Sequence, residues 1–215
     1  STDLVHEIRN PLASLKSASE IISDTNDKDK HEKLLKIMIH DVSRIDRLIT
    51  DYSQTLKDEL AISSEQMEDL DLKTIIDSVV DDFNNIYIEK ENINIILKTS
   101  GSKNYIIKGI SNRVEQIIAN LLDNSISFSK NNKKIVVEIK DTINEDIILK
   151  IIDEGVGFKE KDTNKVFKRF YSNRPDSFGE HSGLGLNIVK NLVDLHGATI
   201  NASNNIAQSG ANVEI

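Results

Sequence analysis

Residues 34–56, LLKIMIHDVSRIDRLITDYSQTL, decide the fold of the N-terminal part of the chain. Seven apolar residues of this stretch follow one another in alternating steps of three and four. They are Leu35, Met38, Val42, Ile45, Ile49, Tyr52 and Leu56. This spacing is typical of a helix whose apolar stripe forms a coiled-coil seam. We therefore predict a long helix that packs against at least one other helix.

A second apolar stripe precedes this helix and predicts its packing partner. It consists of Leu4, Ile8, Leu12, Leu15 and Ile22. The polar residues 24–30 then predict a turn, so the two helices should form a hairpin. A hairpin alone cannot bury both stripes fully. We expect two copies to associate as a homodimer, with a four-helix bundle at the interface.

Composition excludes several classes of function. The net charge of −8 argues against a general nucleic-acid-binding protein, which needs a basic face to neutralise phosphates. The absence of cysteine excludes disulfides, thiolate catalysis and cysteine-based zinc sites. No apolar run is long enough to span a membrane, and the first residues lack a signal-peptide pattern. Because helical periodicity is already present at Leu4, we expect a soluble fragment of a longer protein.

Beyond the hairpin the pattern changes from purely helical to mixed. The acidic and irregular residues 58–70 predict a domain boundary. We expect a hairpin domain at 1–60, a linker at 61–70 and an α/β domain at 71–215. Helices are predicted near 72–88, 111–129 and 184–196, and strands near 93–98, 104–108, 134–140, 146–153, 198–203 and 211–215. The polar loop 158–182 is long enough to predict a lid or binding element.

In the first helix, His6 lies away from the apolar stripe and should be exposed. Asn10 follows one turn later on the same face. A neutral imidazole has a lone pair that can attack phosphorus, and Glu7 beside it could accept a ring proton or hold the tautomer. Pro11 removes one amide from the helix and should loosen it just past His6.

The α/β domain contains four stretches that could bind a phosphorylated ligand. Asn120 and Asn124 share one face of a predicted helix. Gly183, Leu184 and Gly185 precede another predicted helix without forming a Walker A loop. DEGVGF at 153–158 follows an apolar strand and contains Asp153, Gly155 and Gly157. FKRFY at 167–171 contributes Lys168 and Arg169 as candidate phosphate contacts.

These stretches resemble the sequence boxes of sensor histidine kinases. HEIRNP at 6–11 resembles the phospho-acceptor box, and NLLDNSISFS, DEGVGF, FKRFY and HSGLGLNIV follow in the order of that family. The resemblance covers essentially the whole chain. The flanking stretches ASLKSASE and FGEHSGLGL are similar to the ChvG type of these kinases.

The resemblance implies a fold, a reaction and a set of partners. The fold is a helical-hairpin dimerisation domain followed by an α/β-sandwich ATP-binding domain of the GHKL type. ATP would phosphorylate His6, with Mg²⁺ on Asn124 next to Asn120 and with adenine at Asp153. Gly155 and Gly157 would let the backbone approach the base, since neither has a Cβ. An aspartate of a response regulator would then receive the phosphoryl group, and Asn10 would support a phosphatase activity. The chain would be the cytoplasmic portion of an inner-membrane protein.

The chain also departs from the family, which leaves alternatives open. His181 stands where many members have a glycine, and Ser127 with Phe128 replaces more usual basic and aromatic side chains near the phosphates. A pseudokinase or dimeric scaffold therefore remains an alternative. Another is a GHKL-type ATPase that hydrolyses ATP to water, although such an enzyme has no evident use for an exposed His6.

Overall fold

The computed structural model describes residues 2–62, 65–101, 104–129, 134–142, 146–171, 183–205 and 209–215. The chain separates into two compact units. One unit comprises Ser1–Ser64 with Glu180–Leu184, and the other comprises Glu65–Gly179 with Gly185–Ile215. No helix within the described ranges is long and apolar enough to cross a membrane.

The first unit contains the predicted helical hairpin, formed by α1 (Thr2–Asp24) and α2 (Lys28–Ile62). Asp27 caps α2, because its Oδ1 accepts hydrogen bonds from the backbone amides of Asp29 and Lys30 at 3.0 and 3.2 Å. The ring Nε2 of His31 lies 3.0 and 2.7 Å from the carbonyl oxygens of Ile22 and Thr25, which α1 leaves without helical partners. Both ends of the turn are therefore satisfied by side chains.

Only part of the apolar surface of the hairpin is buried in a single chain. Ala18 and Leu48 are buried. Every seventh residue of the predicted seam is between 43% and 55% exposed, namely Leu35, Val42, Ile49 and Leu56. Helix α1 continues through Pro11, which is itself buried. The hairpin thus keeps an apolar stripe that nothing in its own chain covers among the described residues.

The second unit is an α/β sandwich built on a five-stranded sheet. Its strands are β2 (Asn94–Ser100), β4 (Lys134–Asp141), β5 (Ile147–Ile152), β6 (Asn201–Asn204) and β7 (Ala211–Glu214), in the order β2-β4-β5-β7-β6. Strands β2 and β4 are parallel, and the other pairs are antiparallel. Three helices accompany the sheet: α3 (Leu72–Glu91), α4 (Ser111–Phe128) and α5 (Gly185–Leu195).

The core lies between the helices and one face of the sheet. Along β4, Ile135, Val137 and Ile139 are fully buried, and the residues between them are partly exposed. This alternation follows from the two-residue period of a strand with one covered face. Helix α4 contributes Ile118 and Leu122 to the core, both fully buried. The fold class predicted from the sequence is confirmed for both units.

The region expected to be a linker is more ordered than predicted. Helix α2 continues to Ile62, and a short strand β1 (Glu68–Asp71) pairs antiparallel with β3 (Ile106–Gly109). The strand has the sequence EDLD, in which Leu70 is the one apolar residue, so it has no alternating pattern that could distinguish it from an irregular acidic segment. The division between the two units falls at residues 64 and 65. Within the predicted lid, a short 3-10 helix spans Thr163–Phe167, and residues 172–182, including His181, lie outside the described ranges.

Candidate active site

The second unit contains a buried carboxylate. Asp153 follows β5 directly and is only 5% exposed. Its Oδ1 accepts hydrogen bonds from the backbone amides of Gly155 at 2.8 Å and Ala211 at 2.9 Å. Burial raises the pKa of Asp153, while these two amides and the hydroxyl of Ser125 act in the opposite direction. The carboxylate is therefore held in a fixed orientation by one of its two oxygens.

The register of the sheet explains this orientation. Strands β5 and β7 pair antiparallel with Ile152 opposite Asn212, which places Asp153 beside Ala211 at the start of β7. Gly210 precedes this position with φ of +144°, and a Cβ built on it would lie 1.9 Å from the carbonyl oxygen of Asp153. Only glycine can occupy that position without moving the backbone around the carboxylate.

The carboxylate lies at a pocket with apolar walls. Helices α4 and α5, strands β5 and β7 and the segment after Asp153 contribute the lining, which includes Leu121, Phe128, Ile151, Phe158, Leu186 and Val213. Asp153 and Asn124 are the polar side chains with the strongest hydrogen-bonding capacity in this lining. An apolar slot with one fixed carboxylate suits a flat ring that carries a hydrogen-bond donor.

The two glycines of the predicted DEGVGF stretch are needed by the protein's own packing. A Cβ on Gly155 would lie 2.6 Å from the carbonyl oxygen of Phe128. Gly157 has φ of +69°, and a Cβ there would lie 2.7 Å from Oδ1 of Asn204. Gly157 also lines the pocket. The structure thus gives both glycines a packing reason, and their predicted role in letting a base approach stays a prediction.

Asn204 and Ser209 support the same segment and were not predicted from the sequence. The side-chain amide of Asn204 accepts from the Phe158 amide at 2.6 Å and donates to the Phe158 carbonyl at 2.8 Å. The hydroxyl of Ser209 donates to the Gly155 carbonyl at 2.8 Å. Their partners are 46 to 54 residues away in the sequence, so no local pattern connects them. The Ser-Gly pair at 209–210 was the one available signal, and it indicates only a turn.

Asn120 and Asn124 lie one turn apart on α4 and face the beginning of α5. A Cβ built on Gly185 would lie 3.4 Å from Nδ2 of Asn124 and 3.7 Å from Oδ1 of Asn120. The Asn120 amide donates to the Gln116 carbonyl at 2.9 Å. Within the described part of the chain, the buried Nδ2 of Asn124 has no hydrogen-bond partner. A buried polar atom without a partner is costly and suggests that a ligand completes the site.

The FKRFY stretch is attached to the first turn of α5 through Asn187, another residue that the sequence did not single out. Asn187 donates to the Phe167 carbonyl at 2.9 Å and accepts from Nε of Arg169 at 3.3 Å. Phe167 is buried, whereas Lys168 and Arg169 are both exposed. Of the two predicted phosphate contacts, Arg169 is thus fixed next to the first turn of α5. Gly183 has φ of +71°, and it precedes α5 together with Leu184.

The predicted phospho-acceptor residues lie together on α1 in the first unit. His6 and Asn10 are exposed, as the position of His6 off the apolar stripe predicted. Within the described ranges the ring of His6 makes no hydrogen bond. Oε2 of Glu7 accepts a hydrogen bond from Nη2 of Arg44 on α2 at 3.2 Å. Glu7 is therefore attached to the second helix of the hairpin, while the imidazole beside it stays accessible.

Comparison with known proteins identifies both units. Residues 1–59 match the family described as His Kinase A (phospho-acceptor) domain, and residues 109–215 match the family described as Histidine kinase-, DNA gyrase B-, and HSP90-like ATPase. The chain belongs to the sensor histidine kinases. The family predicted from the sequence boxes is confirmed. The chain, called the kinase core below, combines the two characteristic domains of this family.

Individual relatives agree with this assignment. The kinase core is 32% identical to the sensor protein ChvG of Agrobacterium fabrum over 217 residues, which is 98% of this chain and 36% of that protein. It is 26% identical to the sensor protein kinase PmrB of Pseudomonas aeruginosa, covering 100% of this chain and 44% of that protein. The chain thus spans less than half the length of these relatives. The predicted similarity to the ChvG type is confirmed.

Solved structures share the fold at lower identity. The Acinetobacter baumannii histidine kinase AdeS matches with a TM-score of 0.61 and 24% identity, over 97% of this chain and 95% of that one. The histidine kinase ThkA, solved in complex with the response regulator protein TrrA, matches with a TM-score of 0.65 and 20% identity, over 99% of this chain and 59% of that one. These likenesses concern the fold.

Proposed function

We propose that the kinase core transfers the γ-phosphoryl group of ATP to His6 and then to an aspartate of a response regulator. The observation that carries this proposal is the buried Asp153 carboxylate, fixed by two backbone amides at the apolar pocket beside Asn124. The match to the ATPase family supports ATP as the ligand of that pocket. The exposed imidazole of His6 on a phospho-acceptor hairpin supplies the nucleophile.

Adenine recognition follows from the chemistry of the pocket. Oδ1 of Asp153 already accepts two backbone amides, so Oδ2 is the oxygen that can accept a hydrogen bond from the adenine amino group. The apolar side chains of Leu121, Ile151 and Val213 provide walls against which a flat base can pack. Guanine presents a carbonyl oxygen at the corresponding position and would be repelled by the carboxylate. The site should therefore prefer adenine nucleotides to guanine nucleotides.

The triphosphate would extend from the adenine towards Asn124 and the first residue of α5. The amides at the beginning of this eleven-residue helix carry partial positive charge, and Gly185 leaves room for close approach. Arg169, held by Asn187, would add a cation that compensates for the uncharged Ser127. Lys168 is a second candidate contact from the same segment. Gly183 and Leu184 belong to the same proposed phosphate-binding stretch.

The unpartnered amide of Asn124 fits a divalent ion, because rotation of the amide would turn its oxygen towards the ligand. Among the described residues, no group of three or more His, Cys, Asp and Glu side chains could hold a metal ion. Asn124, with Asn120 beside it, would therefore hold a Mg²⁺ ion together with the phosphates of the nucleotide. When bound, it would neutralise charge on the phosphates during transfer.

At His6 the reaction is a displacement at phosphorus. A ring nitrogen forms a bond to the γ-phosphorus while the bond from that phosphorus to the bridging oxygen breaks, and ADP leaves. Glu7 could accept the proton from the other ring nitrogen, and Arg44 fixes the Glu7 carboxylate. The protein then has only to position the two reactants and compensate charge.

The remaining steps concern partners and location. The exposed seam residues Leu35, Val42, Ile49 and Leu56 fit a homodimer in which two hairpins form a four-helix bundle. A response regulator would dock beside His6, and the exposed Asn10 would orient a water molecule for dephosphorylation of that regulator. Relatives described as sensor proteins support a location in the cytoplasmic part of a membrane-bound kinase.

The test is incubation of the kinase core with γ-labelled ATP and Mg²⁺, followed by separate acid and alkali treatment. We expect label that survives alkali but not acid, and its complete loss in His6→Gln. His40→Gln provides the matched control, since His40 is an exposed histidine on the other helix of the hairpin and should be dispensable.

Three outcomes would contradict the proposal. ATP hydrolysis without protein-bound label would indicate a GHKL-type ATPase. Failure to bind ATP in a direct titration would indicate a pseudokinase or scaffold. Label that persists in His6→Gln would refute the assignment of the nucleophile.

A further inference from the structure

An ion pair between a buried arginine and a partly exposed glutamate lies where the chain enters the ATP-binding unit. Nε of Arg113 donates to Oε2 of Glu65 at 2.9 Å, and Nη2 donates to Oε1 at 3.0 Å. The Arg113 side chain is only 7% exposed. Its remaining terminal nitrogen, Nη1, donates to Oε1 of Gln116 at 3.1 Å, and Asn112 donates to Oε1 of Glu65 at 3.2 Å. The guanidinium is thus engaged on all sides in a fixed bidentate geometry.

The position of this cluster connects two functional parts of the chain. Residues 63 and 64 are all that separates Glu65 from Ile62, the last residue of the hairpin helix α2. Arg113 lies in the first turn of α4, and Asn120 lies seven residues, or two turns, further along the same helix. Asn120 donates to the backbone carbonyl of Gln116, and the side-chain oxygen of the same Gln116 accepts from Arg113. The ion pair therefore attaches the incoming chain to the helix that carries the proposed phosphate-binding asparagines.

Stability alone does not account for such a pair. Burying the Arg113 charge and most of the Glu65 charge costs more than a surface ion pair gains, and apolar side chains often stabilise a buried position equally well. A bidentate pair does fix geometry, because only one arrangement satisfies all of its hydrogen bonds. A residue retained for geometry at this point would control the direction in which the chain leaves the hairpin.

We propose that Arg113 is a positioning residue for phosphoryl transfer: by holding Glu65, it leaves only two residues between the end of α2 and the first fixed residue of the ATP-binding unit, and so raises the frequency with which bound ATP reaches His6. This inference rests on the proposed function. It assigns no contact with ATP or with His6 to either member of the pair.

Chain geometry gives the expected fall in the rate of His6 phosphorylation when the ion pair is lost. With Glu65 held, three Cα–Cα steps join it to Ile62, a reach of about 10 Å. Without the pair, the next residue fixed by strand pairing is Glu68, and six steps give about 20 Å. Doubling the reach enlarges the accessible volume about eightfold and lowers the effective concentration of ATP at His6 by a similar factor. The nucleotide pocket itself is unchanged.

The experiment measures the initial rate of His6 labelling against ATP concentration in the parent, Glu65→Ala and Glu65→Gln. Glu65→Gln preserves the volume of the side chain and so guards against misfolding of the alanine variant. We expect the maximal rate to fall about eightfold in Glu65→Ala and at least threefold in Glu65→Gln, with KM for ATP within twofold of the parent. The double variant Glu65→Arg/Arg113→Glu should recover at least half of the lost rate.

Asp77→Asn is the matched control, because it removes one charge from a partly exposed ion pair with Lys73 in the same unit and should leave both parameters unchanged. An unchanged maximal rate in both Glu65 variants, with the parent active, would overturn this inference alone. A loss of ATP affinity that parallels the loss of rate and of Tm would also overturn it, since it would indicate a purely structural role. A parent that binds ATP but does not label His6 would overturn the proposed function and this inference together.

Discussion

Replacing Asp153 with asparagine should weaken ATP binding while leaving the empty protein at least as stable. Asparagine has a single oxygen, which must accept the backbone amides of Gly155 and Ala211 that Oδ1 accepts in the parent. Its nitrogen then occupies the position of Oδ2 and meets the adenine amino group, donor against donor. A hydrogen bond to a charged acceptor contributes about 1.5–3 kcal/mol, so Kd should rise about 10- to 150-fold.

The effect on stability has the opposite sign. Burial raises the pKa of Asp153 in the folded protein. A carboxyl group with a raised pKa favours the folded state only while it is protonated. Its cost to the stability of the folded state therefore begins above the unfolded pKa of about 3.9 and grows until the pH passes the higher folded pKa. At neutral pH the asparagine removes that cost. Tm without nucleotide should therefore stay equal or rise, provided that Ser125 rotates to accept from the new amide.

Calorimetric titration with ATP and Mg²⁺ and thermal unfolding without nucleotide test both halves of this prediction. Asp81→Asn, on the exposed side of α3, makes the same charge change away from the pocket and should alter neither quantity. An ATP affinity within twofold of the parent would refute the role of Asp153. A loss of affinity accompanied by a clear fall in Tm would refute the reasoning about burial.

Four further predictions address pH, the phosphatase, the dimer and the pocket backbone. Because the pKa of Asp153 is raised, ATP affinity should decline on acidification at a higher pH than an ordinary aspartate would cause, and Asp153→Asn should lack this component in parallel titrations. Asn10→Ala should lose dephosphorylation of the regulator but retain His6 labelling; equal loss of both would count against its role. Ile49→Glu should convert a dimer into a monomer by light scattering, and an unchanged mass would exclude this seam as the interface. Gly210→Ala should lower the free energy of unfolding in denaturant by about 3 kcal/mol or more, because its Cβ would overlap the Asp153 carbonyl; unaltered stability would contradict the strain argument.

The features that the sequence predicted are those with strong local signals. The hairpin follows from a stripe repeated over many turns, and helices α3 (Leu72–Glu91) and α4 (Ser111–Phe128) are within a few residues of their predicted bounds. Asp153 and the two asparagines of α4 could be selected because each lies in a short stretch with a recognisable resemblance. In these cases the information lies within one element of secondary structure.

The features that were missed depend on residues far apart in the chain. Strand β1 was not predicted, whereas its partner β3 lies within a few residues of the strand predicted near 104–108. Because β3 begins 35 residues after β1 ends, no local pattern identifies the pair. Glu65 and Arg113 are 48 residues apart, and each alone resembles an ordinary surface charge. Asn187 and Asn204 acquire a role only when folding brings backbone carbonyls of distant segments to their amides. Single-sequence reasoning has no access to such pairings.

The most direct test of the central claim is to locate the phosphoryl group after incubation with ATP and Mg²⁺, by mass spectrometry of peptides prepared without acid. The chain has five histidines. The ring nitrogens of His196 are engaged with the Ile110 amide and the Leu192 carbonyl, and the ring of His31 contacts two carbonyl oxygens, whereas His6 and His40 are exposed. Only His6 of these two lies in the proposed phospho-acceptor box. The account predicts phosphorylation of the peptide that contains His6 and loss of that signal in Asp153→Asn at limiting ATP. A phosphoryl group on a different histidine, or an unmodified His6 while ATP is hydrolysed, would contradict it.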